Sequence, residues 1–157
     1  MKKIILMLLS ITSVCITVSG QSMSKVESQT FLKEMISLES TYIYTSSSEI
    51  PTQFMEWVNQ SERNNIYFMD HDSTNQTGSF MAGDFSLLEL ISGGNISDSG
   101  FIIYKLCTGY MCGYYCLVFR QKADKEKFDY AFNLLRTEIE NLNTLKDYIL
   151  QGENIFQ

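Results

Sequence analysis

The spacing of hydrophobic residues changes several times along the chain, and these changes predict both helices and strands. Residues 23–39 carry apolar side chains at helical spacing among polar ones, which is typical of an amphipathic helix. Residues 41–45 and 66–69 are rich in β-branched and aromatic side chains, as expected of short strands. Between them, Ser48-Glu49-Ile50-Pro51 is typical of a helix entrance, and we predict a short helix that runs to about Glu62.

The middle of the chain predicts most of a β-sheet. A polar run at residues 70–78 separates two apolar runs, which predicts a hairpin with a long tip. Residues 85–91 fit a strand slightly better than a helix because the apolar run is short, and Ser92-Gly93-Gly94-Asn95 is expected to end it. Residues 101–106 and 110–120 are apolar or aromatic at nearly every position, so we predict two central strands that are covered on both faces.

The last segment predicts a long amphipathic helix. Asp124 is a suitable N-cap and Gly152 a suitable C-terminal stop, and between them apolar residues recur every seven positions, at Phe128, Leu135, Leu142 and Ile149. Self-association through this helix stays open. We therefore predict an α+β fold, with a mainly antiparallel sheet of about five or six strands, N-terminal helices, and the long C-terminal amphipathic helix packed on one face.

The first twenty residues have the composition of a secretory signal peptide. Lys2 and Lys3 precede an uncharged, mostly apolar run, and small residues stand before Gln21. The run is shorter than the roughly 20 residues that a membrane-spanning helix needs. We expect cleavage after Gly20, which leaves residues 21–157 as a single α+β domain in the periplasm or outside the cell. A lipid-anchored form that begins at Cys15 is the alternative.

Charge and composition exclude two classes of protein. The chain has 157 residues, 45% of them hydrophobic, which excludes a wholly disordered chain. It carries 12 Lys and Arg against 18 Asp and Glu, a net charge of −6, and removal of Lys2 and Lys3 makes this −8. No nucleic acid is expected to bind, because that affinity depends on cationic side chains. Residues 101–120 differ from the rest: they contain six aromatic residues and two basic ones but no acidic residue.

Three cysteines in this segment predict a disulfide, since exported proteins fold in an oxidising compartment. If residues 108–111 form a hairpin loop, Cys107 and Cys112 face each other, whereas Cys112 and Cys116 lie about 13 Å apart in one strand. We predict a Cys107–Cys112 disulfide with Cys116 as a buried thiol, and a Cys107–Cys116 disulfide is the second choice. A zinc site of these cysteines with His71 is disfavoured by their irregular spacing, and no cofactor is expected.

The tyrosine-rich hairpin around the cysteines is the predicted contact surface for a protein partner. Tyrosine combines a large apolar ring with a polar hydroxyl, and the candidate residues are Tyr110, Met111, Tyr114 and Tyr115. A core position for these rings is the competing interpretation. Our hypothesis is a small exported non-catalytic binding module, similar to an inhibitor or adaptor. The alternative is a small exported hydrolase or metal-dependent enzyme centred on His71 and its neighbouring carboxylates, which lacks a recognisable nucleophile motif.

Overall fold

The computed structural model describes residues 22–62, 65–70, 80–82, 85–108, 111–139, 141–152 and 154–157. In these residues, three α-helices and one 3-10 helix accompany seven strands. The helices are α1 (Lys25–Ser37), the 3-10 helix (Ser47–Glu49), α2 (Thr52–Glu62) and α3 (Leu142–Leu150). The strands are β1 (Tyr42–Ile43), β2 (Asn65–Asp70), β3 (Phe80–Ala82), β4 (Phe85–Ile96), β5 (Ser99–Thr108), β6 (Met111–Gln121) and β7 (Phe128–Leu134).

The strands form one mainly antiparallel sheet in the order β1-β4-β5-β6-β7. The exception is β2, which pairs with β4 in parallel, while β3 pairs with β4 antiparallel. Two tight hairpins join the long strands β4, β5 and β6. The predicted α+β class, the mainly antiparallel sheet and the N-terminal helices are confirmed, and two of the seven strands are only two and three residues long.

Both faces of the central strands are buried, as their nearly continuous apolar sequence predicts. On one face α2 packs against even-numbered residues of β5 and β7 and odd-numbered residues of β6, including Tyr104, Leu117 and Tyr130. On the other face α1 and α3 pack against the alternate set, including Ile103, Cys116 and Ala131. Consecutive residues of a strand point to opposite faces, so each strand contributes to two separate cores.

The helices α1 and α3 begin where polar side chains satisfy free backbone amides. The Oγ of Ser24 accepts from the Glu27 amide at 3.2 Å, and Glu27 in turn accepts from the Ser24 amide at 2.8 Å. Asn141 caps α3 by accepting from the amides of Asn143 and Thr144 at 2.9 and 3.1 Å. Apolar residues of α1 and α3 pack in the same core cluster, so the two helices cover the same face of the sheet.

The predicted long C-terminal helix between Asp124 and Gly152 is wrong. Asp124 lies in the turn between β6 and β7, where its carboxylate pairs with Lys127 at 3.0 Å. Phe128 begins a strand, and Leu135 bridges to Phe156. Among the described residues of this segment, only 142–150 are helical. The apolar residues that recur every seven positions are therefore divided between β7 and α3, and they do not form the continuous stripe on which self-association was based.

Two smaller predictions about strand ends are also wrong. The predicted hairpin around residues 70–78 would pair β2 with β3, but each of these strands pairs with β4 instead. The predicted tip, residues 71–79, lies outside the described residues. β4 does not end at residues 92–95 but continues through Gly93 and Gly94. A Cβ on Gly94 would lie 2.6 Å from the Tyr42 carbonyl oxygen, so glycine lets β1 approach closely there. The preference for a strand over a helix at residues 85–91 is confirmed.

Candidate functional site

The predicted disulfide between Cys107 and Cys112 is present at the β5–β6 hairpin. The two residues are directly opposite in the strand register, with their Cα atoms 4.0 Å apart. The pairing extends one step further than predicted, to Thr108 and Met111. Cys116 is a free thiol and fully buried, opposite Ile103, so the second-choice Cys107–Cys116 disulfide is wrong.

The backbone of Cys112 faces the open edge of β6. Short Cα separations are typical of antiparallel pairs that do not exchange hydrogen bonds, so the amide and carbonyl of Cys112 point away from β5. The register agrees: the Leu135 amide donates to the Tyr114 carbonyl at 2.8 Å, which shows that even-numbered residues of β6 direct their backbone groups towards β7. The last named residue of β7, Leu134, lies opposite Tyr115. No described strand therefore lies beside Cys112 on this edge.

A cleft of about 480 Å³ occupies the space beyond the end of β7. One wall is β6, and the other is the segment that leaves the sheet at Leu135, together with Gln157. Gln157 is held there because its amide donates to the Leu134 carbonyl at 2.9 Å. The lining residues are Leu106, Cys112, Gly113, Tyr114, Tyr115, Leu134, Leu135, Arg136, Thr137, Glu138 and Gln157. The volume is in the range of ligand-binding clefts.

Two of the predicted partner-binding tyrosines, Tyr114 and Tyr115, line this cleft from opposite faces of β6. The Tyr114 hydroxyl donates a hydrogen bond to the Glu138 carboxylate, and the Lys105 ammonium lies 5.8 Å from the Tyr114 ring centroid. Tyr115 stacks on Tyr104, with ring centroids 5.5 Å apart. Both rings are partly buried, so each combines a packing role with a surface in the cleft.

Gly113 makes room for the Tyr115 ring. A Cβ at this position would lie 2.9 Å from Cε2 of Tyr115, closer than unbonded carbon atoms approach. The ring of Tyr115 therefore lies directly over the Gly113 backbone, and an alanine would push it aside. Gly113 sets the shape of this wall of the cleft.

The other two predicted residues are less fully described. Met111 pairs with Thr108 at the end of the hairpin, and Tyr110 lies outside the described residues. Their contact with a partner stays a prediction. Two of the three hairpin cysteines are joined in the disulfide, and burial raises the pKa of the Cys116 thiol. Both observations disfavour zinc ligation by these cysteines; His71 lies outside the described residues.

The alternative enzyme centre lies mostly outside the described residues, since these exclude His71 and Asp72. The carboxylate of Asp70 accepts hydrogen bonds from the Ser47 amide and the Ser46 hydroxyl, and the hydrogen bond from Ser47 is the first cause of its lowered pKa. Among the described residues, no group of three or more His, Cys, Asp or Glu could hold a metal ion.

Arg136, Glu138 and Gln157 belong to the cleft, and the sequence did not single them out. In the predicted long helix, Glu138 only interrupted the apolar stripe three positions after Leu135, and Arg136 had no assigned role. The useful signal was Asn141, a better N-cap than Asp124 because the following residues 142–150 alone keep helical spacing. A helix that starts there leaves residues 135–139 as a connection beside the hairpin.

Comparison of the chain with protein-family models, curated proteins and solved structures finds no match. Within the described part of the chain, no helix is both long and apolar enough to span a membrane. The candidate function of this protein therefore rests on the geometry and chemistry of the cleft.

Proposed function

We propose that this protein is a small exported, non-catalytic binding module that takes an extended segment of a protein partner at the cleft beside the Cys107–Cys112 disulfide. The open edge of β6 at Cys112 carries this proposal. A strand edge with free backbone groups can pair with an added peptide strand, which gains main-chain hydrogen bonds from it.

The cleft offers side-chain contacts as well as the strand edge. Leu106, Leu134 and the ring of Tyr115 provide apolar surface, while Arg136 and Glu138 provide charge on the opposite wall. Apolar surface with a few polar groups around it is typical of a recognition site. Tyr110 and Met111, which directly precede Cys112 in the sequence, are proposed to extend the contact along the peptide.

The disulfide fits both parts of this proposal. It links β5 to β6 one pair before the hairpin tip, which holds the open strand in an extended conformation before a partner arrives. A preformed strand loses less conformational entropy on binding. A disulfide is also compatible with an oxidising compartment, as the signal peptide at residues 1–20 predicts; these residues lie outside the described part of the chain.

The test starts from random nonapeptides displayed in two formats, one with a free N-terminus and one with a free C-terminus, selected against the full chain. The best peptide is synthesised and titrated into ¹⁵N-labelled protein. We expect the largest amide shifts at residues 112–115 and 134–138. Failure to enrich a peptide in either format, or shifts confined to other regions, would contradict the proposal.

Three variants give the titration its controls. Gly113→Ala displaces the Tyr115 ring and is expected to raise the dissociation constant at least about fivefold, which corresponds to about 1 kcal/mol. Tyr110→Ala is expected to weaken binding as well. Tyr67→Ala is the matched control, because this tyrosine is 49% exposed on β2, away from the hairpin, and its affinity should stay within about twofold of the wild type.

A further inference from the structure

The groove along β6 is closed at one end. A peptide strand beside Cys112 would occupy the position that β7 occupies further along the sheet, and the Leu135 amide already takes the Tyr114 carbonyl. Beyond that point the segment from Leu135 to Glu138 forms the wall of the cleft. A chain that runs along the groove towards Leu135 meets this segment, which favours a chain that ends there.

Together with Glu138, Arg136 is one of two charged residues that line this cleft. Its Nε donates to the Phe156 carbonyl at 2.9 Å, which fixes the plane of the guanidinium. An arginine has five N–H donors, and no described residue takes those on its two terminal nitrogens. Arg136 is exposed and lines the cleft. A guanidinium held by one nitrogen, with its other donors free, suits a carboxylate.

Resting on the proposed function, we infer that the cleft recognises the free C-terminus of its partner: the terminal carboxylate binds Arg136, and the preceding residues pair with the edge of β6. The direction of the peptide follows from this assignment. Because the closed end lies on the Leu135 side of Cys112, a peptide that ends there runs parallel to β6, and its earlier residues extend towards the hairpin tip.

The neighbouring Glu138 has a hydrogen-bond partner of its own. Its carboxylate accepts the hydroxyl of Tyr114, on the face of the sheet that α1 and α3 cover. A free amino terminus would instead favour Glu138, and this gives the opposite prediction for the same groove. The two kinds of chain end can therefore be compared directly.

The first arm of the test compares the two display formats described above. Peptides with a free C-terminus are expected to be enriched, and peptides with only a free N-terminus are not. The second arm compares the selected peptide as its free acid, as its C-terminal amide, and with three glycines added after its last residue. The free acid should bind at least about tenfold more tightly than either, since only the free acid offers a terminal carboxylate to the guanidinium.

Variants assign the effect to Arg136. Arg136→Gln should bring the affinity for the free acid to within about twofold of that for the amide. Arg136→Lys should keep part of the preference, and it controls for loss of the contact with Phe156. Arg120→Gln is the matched control. Arg120 also lies on β6, but at the end far from the cleft, where its Nη2 is 3.6 Å from Oδ2 of Asp129. This variant should keep the full preference for the free acid.

The possible failures are distinct. Equal affinity for the free acid and the amide, or selection of free N-termini, overturns the assignment to a C-terminus and leaves the binding module intact. A preference that survives Arg136→Gln overturns the role of this residue. Absence of binders in both formats overturns the proposed function itself.

Discussion

The Leu135 amide donates a hydrogen bond to the Tyr114 carbonyl at 2.8 Å, at the point where the chain after β7 leaves the sheet. This contact separates two parts of the outer edge of β6. On one side of it, from Tyr115 to Gln121, the edge is paired with β7. On the other side, towards the hairpin, the β6 residue Cys112 faces the cleft. The same residue pair thus ends the fold's own sheet and begins the proposed groove for a partner.

The disulfide is expected to stabilise the fold as well as the groove. A bond that closes a loop between residues five apart in sequence reduces the entropy of the unfolded chain by an amount worth about 2 kcal/mol. The double variant Cys107→Ser/Cys112→Ser should lose this much free energy of unfolding in urea. Reductant should lower the stability of the wild type and leave that of the double variant unchanged; an equal effect on both would contradict the expectation.

The hydrogen bond between Tyr114 and Glu138 should couple the two walls of the cleft. Tyr114→Phe removes only the hydroxyl, and Glu138→Gln removes the charge of its acceptor. A double-mutant cycle by urea unfolding is expected to give a coupling energy of about 0.5–1.5 kcal/mol. If the two substitutions are additive, the hydroxyl and the carboxylate do not interact in solution.

Acid should destabilise the protein through Glu49. The Tyr42 hydroxyl and the Thr45 amide donate to this carboxylate and lower its pKa to about 2, from 4.5. A carboxyl group whose pKa is lower in the folded state contributes stability above its unfolded pKa, and this contribution is lost as the pH falls. We expect the free energy of unfolding to decrease between about pH 4.5 and pH 2, and Asp70, whose pKa is also lowered, acts in the same direction.

Glu49→Gln should flatten that decrease. Glu56→Gln is the matched control, because Glu56 lies on the exposed side of α2, and it should keep the wild-type slope. Urea unfolding at several pH values measures both. A slope for Glu49→Gln equal to that of the wild type would show that the hydrogen bonds to Glu49 do not act on stability.

Removal of one buried hydroxyl should stabilise the protein. Ser28 is fully buried within α1, and its Oγ has no hydrogen-bond partner among the described residues. Alanine removes that unsatisfied group and favours the helix, so Ser28→Ala should raise the free energy of unfolding by about 1 kcal/mol. Thr30→Ala, at an exposed position on the same helix, should gain only the helix-propensity part, about 0.5 kcal/mol. A destabilised Ser28→Ala variant would mean that the hydroxyl is bound.

The central strands and the disulfide could be predicted from the sequence. The helix predicted between Asp124 and Gly152 was wrong for a physical reason. Phe128, Ala131 and Leu135 fit helical spacing, and the alternation of a strand is hidden because both of its faces are buried. Phe128 and Tyr130 pack towards α2, while Ala131 packs towards α1. Tyr114 and Tyr115 could be named as candidates from the sequence because a cluster of tyrosines within a few positions is visible without knowledge of the fold. Arg136 and Glu138 were missed because their place in the cleft depends on where β7 ends.

The most direct test of the binding account is hydrogen exchange at the Cys112 amide. In the free protein this amide points outward at the open edge of β6, so we expect it to exchange rapidly. The amides of Leu117 and Val118 are the slow reference, because both residues are fully buried in the middle of β6. Saturation with the selected peptide should slow exchange at Cys112 at least about tenfold, because an added strand accepts its hydrogen bond. Slow exchange in the free protein, or no change when the peptide is bound, would contradict pairing at this edge.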